Sequence, residues 1–343
     1  MPHTTLNAHA GALDTPHPDA QAHPGEHVVV TGGAGFIGSH LVDHLLSLGH
    51  RVTVLDNFST GQRANLAQHA DHPCLRVCEA DISDGLALPL MSVEPEQGAP
   101  TRLVHLAAQT SVITSLARPL FDARSNHVGT LQALELARGA HLKRVVLASS
   151  AATYGDLPDD LIPTPESAPQ APLSLYGIHK LSGEHLCRAY AHTYGLSSAA
   201  LRFFNVYGPR QDPQSPYSGV ITIFLQRARR GQPLFVFGDG LQTRDFVYVG
   251  DVVRALTLAL FSPHDGYLAL NVGTGHETTI LDLAHLALRL GGGEGAPVLQ
   301  PPRAGEIARS CAQIGALARA LGFSPQTPLA EGLERTFAWM KQL

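Results

Sequence analysis

The sequence predicts an α/β fold, a doubly wound parallel sheet with a smaller C-terminal domain, and three observations carry that prediction. From His27 onward, short β-branched or apolar runs alternate with amphipathic stretches, the sequence form of parallel strands joined by crossover helices. The runs recur through the first 200 residues, which is enough for a sheet wound in both directions. Past about residue 201 the spacing turns irregular, and Gly291, Gly292, Gly293 and Gly295 mark a late connection, so the smaller domain is placed there. The predicted strands are His27–Thr31, Arg51–Asp56, Leu75–Glu79, Arg102–Ala107, Arg144–Ser149 and Ser198–Phe203. Such sheets bind ligands beyond the carboxyl ends of their strands. Motifs just after strands therefore carry the functional information.

Size and charge narrow the field. The chain has 343 residues, and at about 150 residues per domain that is roughly two folding units. No apolar run reaches the roughly 18 residues that a membrane span needs. With 24 basic and 29 acidic side chains the net charge is −5, so no overall positive field draws nucleic acid. Cys74, Cys78, Cys187 and Cys311 contain no C-x-x-C pair, which fits a reducing, cytoplasmic setting. Residues 1–25, rich in Pro, His, Ala and Thr, lack the basic start and apolar stretch of a secretory signal and are expected to be a disordered leader. Pro158, Pro163, Pro165, Pro169 and Pro172 make the segment after Gly155 an ordered loop or a lid.

The first strand runs directly into Gly32-Gly33-Ala34-Gly35-Phe36-Ile37-Gly38. These glycines satisfy both G-x-x-G-x-x-G (Gly32, Gly35, Gly38) and G-x-G-x-x-G (Gly33, Gly35, Gly38). Without Cβ atoms the backbone can approach a pyrophosphate, and the following helix offers free N–H groups and a positive dipole end. Ile37, Leu41, Leu45 and Leu48 form the apolar face of that helix. Taken alone, the glycines also fit a tight turn with no ligand. Asp56, 18 residues after Gly38 at the end of the second strand, favours a dinucleotide: its carboxylate can accept from the ribose hydroxyls, and it would repel a 2′-phosphate. NAD is thus expected rather than NADP.

Tyr176 and Lys180 are four residues apart, one turn along a helix face. A phenol has a pKa near 10, so its use as a base near pH 7 needs a downward shift of about three units, or ~4 kcal/mol. An ammonium and a nicotinamide cation could supply it. By itself Y-x-x-x-K is also an ordinary polar helix face. Ser150 follows the strand ending at Ser149, where its hydroxyl could reach the same reacting oxygen; it could equally be a turn residue. His40 and His44 are read as a solvated stripe with Asp43 and Ser47, and no metal is expected. Cys74 and Cys78 are expected as core thiols on one face of a strand, too far apart to bond.

Several motifs occur together in order: Thr31 to Gly38, Asp56-Asn57, Asp81-Ile82, His105-Leu106-Ala107-Ala108, Asn126, Ser149 to Gly155, Tyr176 with Lys180, and Leu201 to Pro209. From about Val28 to Gln313 the chain resembles the extended short-chain dehydrogenase/reductases that act on nucleotide sugars, and is most similar to UDP-hexose and UDP-N-acetylhexosamine 4-epimerases. The resemblance implies a Rossmann domain over 26–201 and a mainly substrate-binding domain over 202–343, with 245–273 returning to the first. It implies that Gly32, Gly35 and Gly38 hold the NAD pyrophosphate, Asp56 the adenosine ribose, and Asp81 with Ile82 the adenine. Phe36, Ile37, Asn57, Ala107, Ala108 and Asn126 are further implied cofactor contacts. Lys180 would bind the nicotinamide ribose and lower the pKa of Tyr176, while Ser150 orients the sugar hydroxyl. In the family's mechanism the tyrosine takes the C4 hydroxyl proton as hydride passes to NAD, and the 4-keto sugar turns over and is reduced on its other face.

Ala151 and Ala152 stand where similar 4,6-dehydratases carry an Asp-Glu pair and uronate decarboxylases a Glu at the second position. Methyl groups move no protons, so epimerisation is the expected outcome. Arg244 and Arg303 match the family's phosphate-binding arginines, and Asn205 matches a substrate-binding asparagine. Glu306 replaces the usual aspartate at the uridine ribose. Ser310 aligns with a site beside the C2 substituent, where a small residue leaves room for an N-acetyl group. A homodimer joined through the Tyr176 helix is also implied. Alternatives are action on another nucleotide sugar, such as a UDP-uronate, and a catalytically silent NAD-binding regulator.

Overall fold

The computed structural model of the chain describes residues 25–84, 98–213, 219–293, 295–303 and 305–343. Apart from Gly25, the expected leader lies outside the described residues. The elements begin β1 (His27–Thr31), α1 (Phe36–Ser47), β2 (Arg51–Asp56), β3 (Leu75–Glu79), β4 (Arg102–His105), α2 (Val112–Ala117), α3 (Pro119–Asp122), a π-helical turn (Ala123–Val128) and α4 (Gly129–Gly139). They continue with β5 (Arg144–Ser150), α5 (Leu175–Tyr194), β6 (Ser198–Phe203), β7 (Asn205–Tyr207), α6 (Val220–Arg229), β8 (Phe235–Phe237), β9 (Thr243–Arg244) and β10 (Phe246–Tyr248). The last are α7 (Val249–Phe261), β11 (Tyr267–Val272), β12 (Thr278–Thr279), α8 (Ile280–Leu290), β13 (Val298–Gln300), α9 (Gly315–Leu321) and α10 (Leu329–Met340).

Seven parallel strands form one sheet in the order β11-β6-β5-β4-β1-β2-β3. The winding reverses between β1 and β4, which pair from Val28↔Arg102 to Thr31↔His105, and a crevice opens at the carboxyl ends of strands flanking such a reversal. β4 stops two residues before its predicted end. Leu106 N still donates to Thr31 O (3.1 Å), but Ala107 N turns to the Thr31 hydroxyl (3.2 Å) and leaves the ladder.

Both faces of the sheet are covered, which is why its strands read as nearly continuous apolar runs. Val28 and Val30 face Leu41, Val42 and Leu45 of α1 and Val252 and Leu256 of α7. Val29 points the other way, to a cluster with Leu134 of α4 and Cys187 of α5. A third cluster joins α6, α8 and α10 through Phe224, Leu225, Leu283, Leu333 and Phe337, over β8 and β10. The short pairs β7·β10 and β8·β13 are parallel and β9·β12 is antiparallel.

Two expectations are corrected. His40 and His44 are half-buried rather than on a solvated face, because α7 packs against α1. His40 Nε2 bonds the Pro209 carbonyl (2.9 Å), and burial pulls both imidazoles below the usual histidine range. Cys74 and Cys78 do not share a face: Cys74 precedes β3 and packs with the α1 side, whereas Cys78 packs with the α4 side, and both are half-buried. The proline-rich segment is an ordered loop. Thr164 pairs with the C-terminal chain through Thr164 N to Cys311 O (2.8 Å) and Gln313 N to Thr164 O (2.9 Å), and Asn271 N donates to Glu166 Oε1 (3.0 Å).

Candidate active site

The site begins where β1 meets α1. Gly32 has φ +70°, and a Cβ there would lie 2.7 Å from Ala107 N. A Cβ on Gly38 would lie 2.1 Å from Gly32 O, so only glycine lets the helix start this close to the strand. No side chain caps α1 at Gly35, and its first turn holds no acidic residue. The leading N–H groups around Phe36 and Ile37 are thus presented to an anion.

Asp56 is 6% exposed and accepts from Ala34 N (2.9 Å) and Phe58 N (2.8 Å). A carboxylate offers about four acceptor positions, so two remain for a ribose. Asn57 Nδ2 donates to Asp81 Oδ2 (2.8 Å) and joins the two acidic corners. Burial pushes the Asp81 carboxyl up, but hydrogen bonds from Ser83 and Asn57 outweigh it and hold it below the usual carboxylate range. Ile82 is buried beneath Gly129. Asn126 accepts from Gln109 N (2.9 Å) and donates to Gln109 O (2.9 Å), which pins the loop leaving Ala107 and Ala108.

At the carboxyl end of β5, Ser150 Oγ accepts from Ala152 N (3.1 Å), and its side chain is close enough to the Tyr176 phenol to favour the phenolate. Ser174 caps α5 by accepting from Gly177 N (3.1 Å), setting Tyr176 in the first turn. One turn later Lys180 Nζ donates to Ala148 O (2.9 Å) and lies 5.8 Å from the Tyr176 ring centre. Burial pulls Lys180 down to about 8, opposed by the Asp122 charge.

The expected lowering of the Tyr176 pKa by Lys180 is not found among the chain's own groups. Burial pushes the phenol up to about 12, the Ser150 side chain opposes it only in part, and Asp122 adds to the rise. Lys180, turned toward Ala148 O, does not offset this.

On the C-terminal side, Arg244 donates to Ile307 O (2.8 Å), and its guanidinium lies 3.6 Å from the Glu306 carboxylate. Glu306 is therefore an ion-pair partner of one expected phosphate ligand. Arg303 lies over the Phe237 ring, 3.7 Å from its centre. Asn205 is exposed at the start of β7. Ser310 is half-buried beside Arg309, which pairs with Glu277 (2.6 Å) and with Asp159 of the proline-rich loop (3.0 Å).

Sequence reasoning missed two groups here. Glu184 of α5 is paired with Arg202 of β6 (2.7 Å) and accepts from Ser149 Oγ (2.5 Å), locking the catalytic helix to the sheet. Asp122, fully buried, bonds His179, the residue before Lys180. Tyr176-x-x-x-Lys180-x-x-x-Glu184 is a visible i, i+4 series; nothing local signals Asp122.

Residues 28–273 match the description of an NAD dependent epimerase/dehydratase family. The chain belongs to that family. A UDP-glucose 4-epimerase of Mycolicibacterium smegmatis is 40% identical over 314 residues, 91% of this chain and 98% of the relative. The UDP-glucose 4-epimerase of Thermotoga maritima, solved with UDP-glucose, is 39% identical with a TM-score of 0.84, covering 92% of this chain and 99% of that one. A UDP-N-acetylglucosamine 4-epimerase from Methanobrevibacter ruminantium, solved with UDP-N-acetylmuramic acid, is 34% identical with a TM-score of 0.85, covering 94% and 100%. The family's fold thus extends past residue 273 to most of the chain.

Proposed function

We propose that this chain is an NAD-dependent UDP-sugar 4-epimerase that interconverts UDP-glucose and UDP-galactose and also accepts their N-acetylated counterparts. The observation that carries the reading is the grouping of Ser150 and Tyr176 with Lys180 Nζ 5.8 Å from the Tyr176 ring centre, beside Ala151 and Ala152 rather than acidic side chains. That set can move one proton at one sugar oxygen and has no second acid for elimination or decarboxylation. Bound NAD supplies a hydride acceptor and donor at C4 and a positive charge near the phenol.

Gly32, Gly35 and Gly38 would admit the NAD pyrophosphate to the N–H groups of Phe36 and Ile37, and the two remaining acceptor positions of Asp56 would take the adenosine ribose hydroxyls. Asn57, Asp81 and Ile82 would hold the adenine, and Asn126, by pinning Gln109, would keep Ala107 and Ala108 in place for the cofactor. Lys180 serves the nicotinamide ribose. Tyr176 takes the C4 hydroxyl proton while Ser150 holds the oxygen, and after the 4-keto sugar turns over Tyr176 returns the proton. Arg244 and Arg303 take the diphosphate, Asn205 and Glu306 position the nucleotide, and Ser310 leaves space at C2.

A cytoplasmic homodimer is part of the same proposal. Among the described residues no helix is long and apolar enough to cross a membrane. Ile113, Leu116, Leu120 and Ile178 expose 66%, 61%, 85% and 45% of their surface on α2, α3 and α5, an apolar face suited to a second copy.

Purified protein incubated with UDP-galactose or UDP-GlcNAc, without added NAD, is expected to yield the C4 epimer of each; unchanged substrates would contradict the reading. In Ser310→Tyr, turnover of UDP-GlcNAc is expected to fall at least about tenfold relative to UDP-galactose as the C2 space fills. An unchanged ratio would remove Ser310 from the specificity argument.

A further inference from the structure

Asp122 closes α3 at the entry to the π-helical turn and is completely buried. One carboxylate oxygen accepts from Gln109 Nε2 (2.5 Å) and Asn126 Nδ2 (2.9 Å), and the other from His179 Nδ1 (2.5 Å). Gln109 follows the Ala107–Ala108 loop, Asn126 holds that loop, and His179 lies between Tyr176 and Lys180. One anion thus joins the cofactor loop, the π-helical turn and the catalytic helix. A π-helical turn is often retained at a functional site because it re-aims side chains. Here Asp122 and Asn126 are brought to a common contact across it.

We propose that Asp122 is a positioning residue for the catalytic pair: through Gln109, Asn126 and His179 its carboxylate fixes the turn of α5 that carries Tyr176 and Lys180 against the cofactor loop. The other charged or titratable groups around the pair do not replace it. His105 of β4 is held neutral, its pKa pulled down to about 3 by burial and by Lys180. Glu184 is paired with Arg202. His127 of the π-helical turn is bonded to Ser182 Oγ (2.7 Å), with its ring 6.5 Å from that of His179.

The sign of the effect follows from charge. Removing the anion makes an ammonium easier to deprotonate and a phenolate easier to form, so both groups titrate at lower pH. A purely structural role would reduce activity without moving either titration.

The chain contains three lysines, Lys143, Lys180 and Lys341, so enzyme labelled with 13C at lysine Cε gives three side-chain signals. Lys180→Arg identifies one by its loss. In Asp122→Asn the Lys180 midpoint is expected about one unit below its native position, while Asp122→Glu restores it. The kinetic arm rests on the epimerase reading: both limbs of the kcat profile should move acidward together in Asp122→Asn. Native protein without epimerase activity would count against that reading and leave the lysine titration to decide this one. If Asp122→Asn does not fold, Asp122→Ser gives the same readout. An unmoved Lys180 midpoint overturns the proposal. So does failure of both neutral variants to fold, which would place the carboxylate in folding rather than in the site.

Discussion

Tyr176 is a poor base within its own protein. From about 12, bringing the phenol to neutral pH takes about five units, or ~7 kcal/mol of differential stabilisation. Ser150 and Lys180 do not provide it, and the positive charge of bound NAD would supply the remainder. Tyr176→Phe should lower kcat by at least about 100-fold with little change in KM, measured by initial rates on UDP-galactose; a rate near the native value would remove the phenol from the chemistry. Burial pulls Lys180 down to about 8, so its charge is present below that pH and lost above it. The native kcat should decline above about pH 8, and a flat profile to pH 10 would show that the ammonium is not required. The spacing of Tyr176 and Lys180 was legible because i, i+4 geometry is local. The direction of the Tyr176 shift was not, since burial is set by chain segments remote from it, and Asp122 meets His179 across 57 positions.

At the scale of elements, the turn from β1 into α1 sets the geometry of the nucleotide end. Gly38→Ala would place a methyl 2.1 Å from Gly32 O, forcing the helix away from the strand and its N–H groups away from a pyrophosphate. Protein purified with this change is expected to carry little NAD, read from the ratio of absorbance at 260 to 280 nm after denaturation. NAD content equal to native would contradict the placement. Six of the seven strands of the sheet were readable to within two residues because their burial leaves apolar runs, whereas β11 was not among the predicted strands, lying in the stretch past residue 201 where the spacing turns irregular. β4 was overextended because the hydroxyl of Thr31 captures Ala107 N, a contact with no signature in either segment. The π-helical turn was equally hidden, as it depends on packing that brings Asn126 to Gln109 and Asp122.

Across the whole molecule, the six sheet strands up to Phe203 were legible, and β11 and the C-terminal architecture were less so. β7 to β10, β12 and β13 are two or three residues long and pair with distant partners, as Val298–Gln300 does with Phe235–Phe237, and such short runs carry little periodicity. The covering of His40 and His44 has the same origin, since α7 arrives from some 200 positions later. The exposed apolar face on α2, α3 and α5 is the assembly prediction. Leu120→Glu with Ile113→Glu is expected to convert a dimer of native protein to monomer in light scattering; monomeric native protein would contradict it. The overall claim is a closed cycle in which C4 gives up a hydride and receives the same one back. UDP-galactose deuterated at C4, turned over by the native protein in ordinary water, should give UDP-glucose that retains the deuterium at C4. Exchange of that deuterium for solvent hydrogen would contradict the cycle.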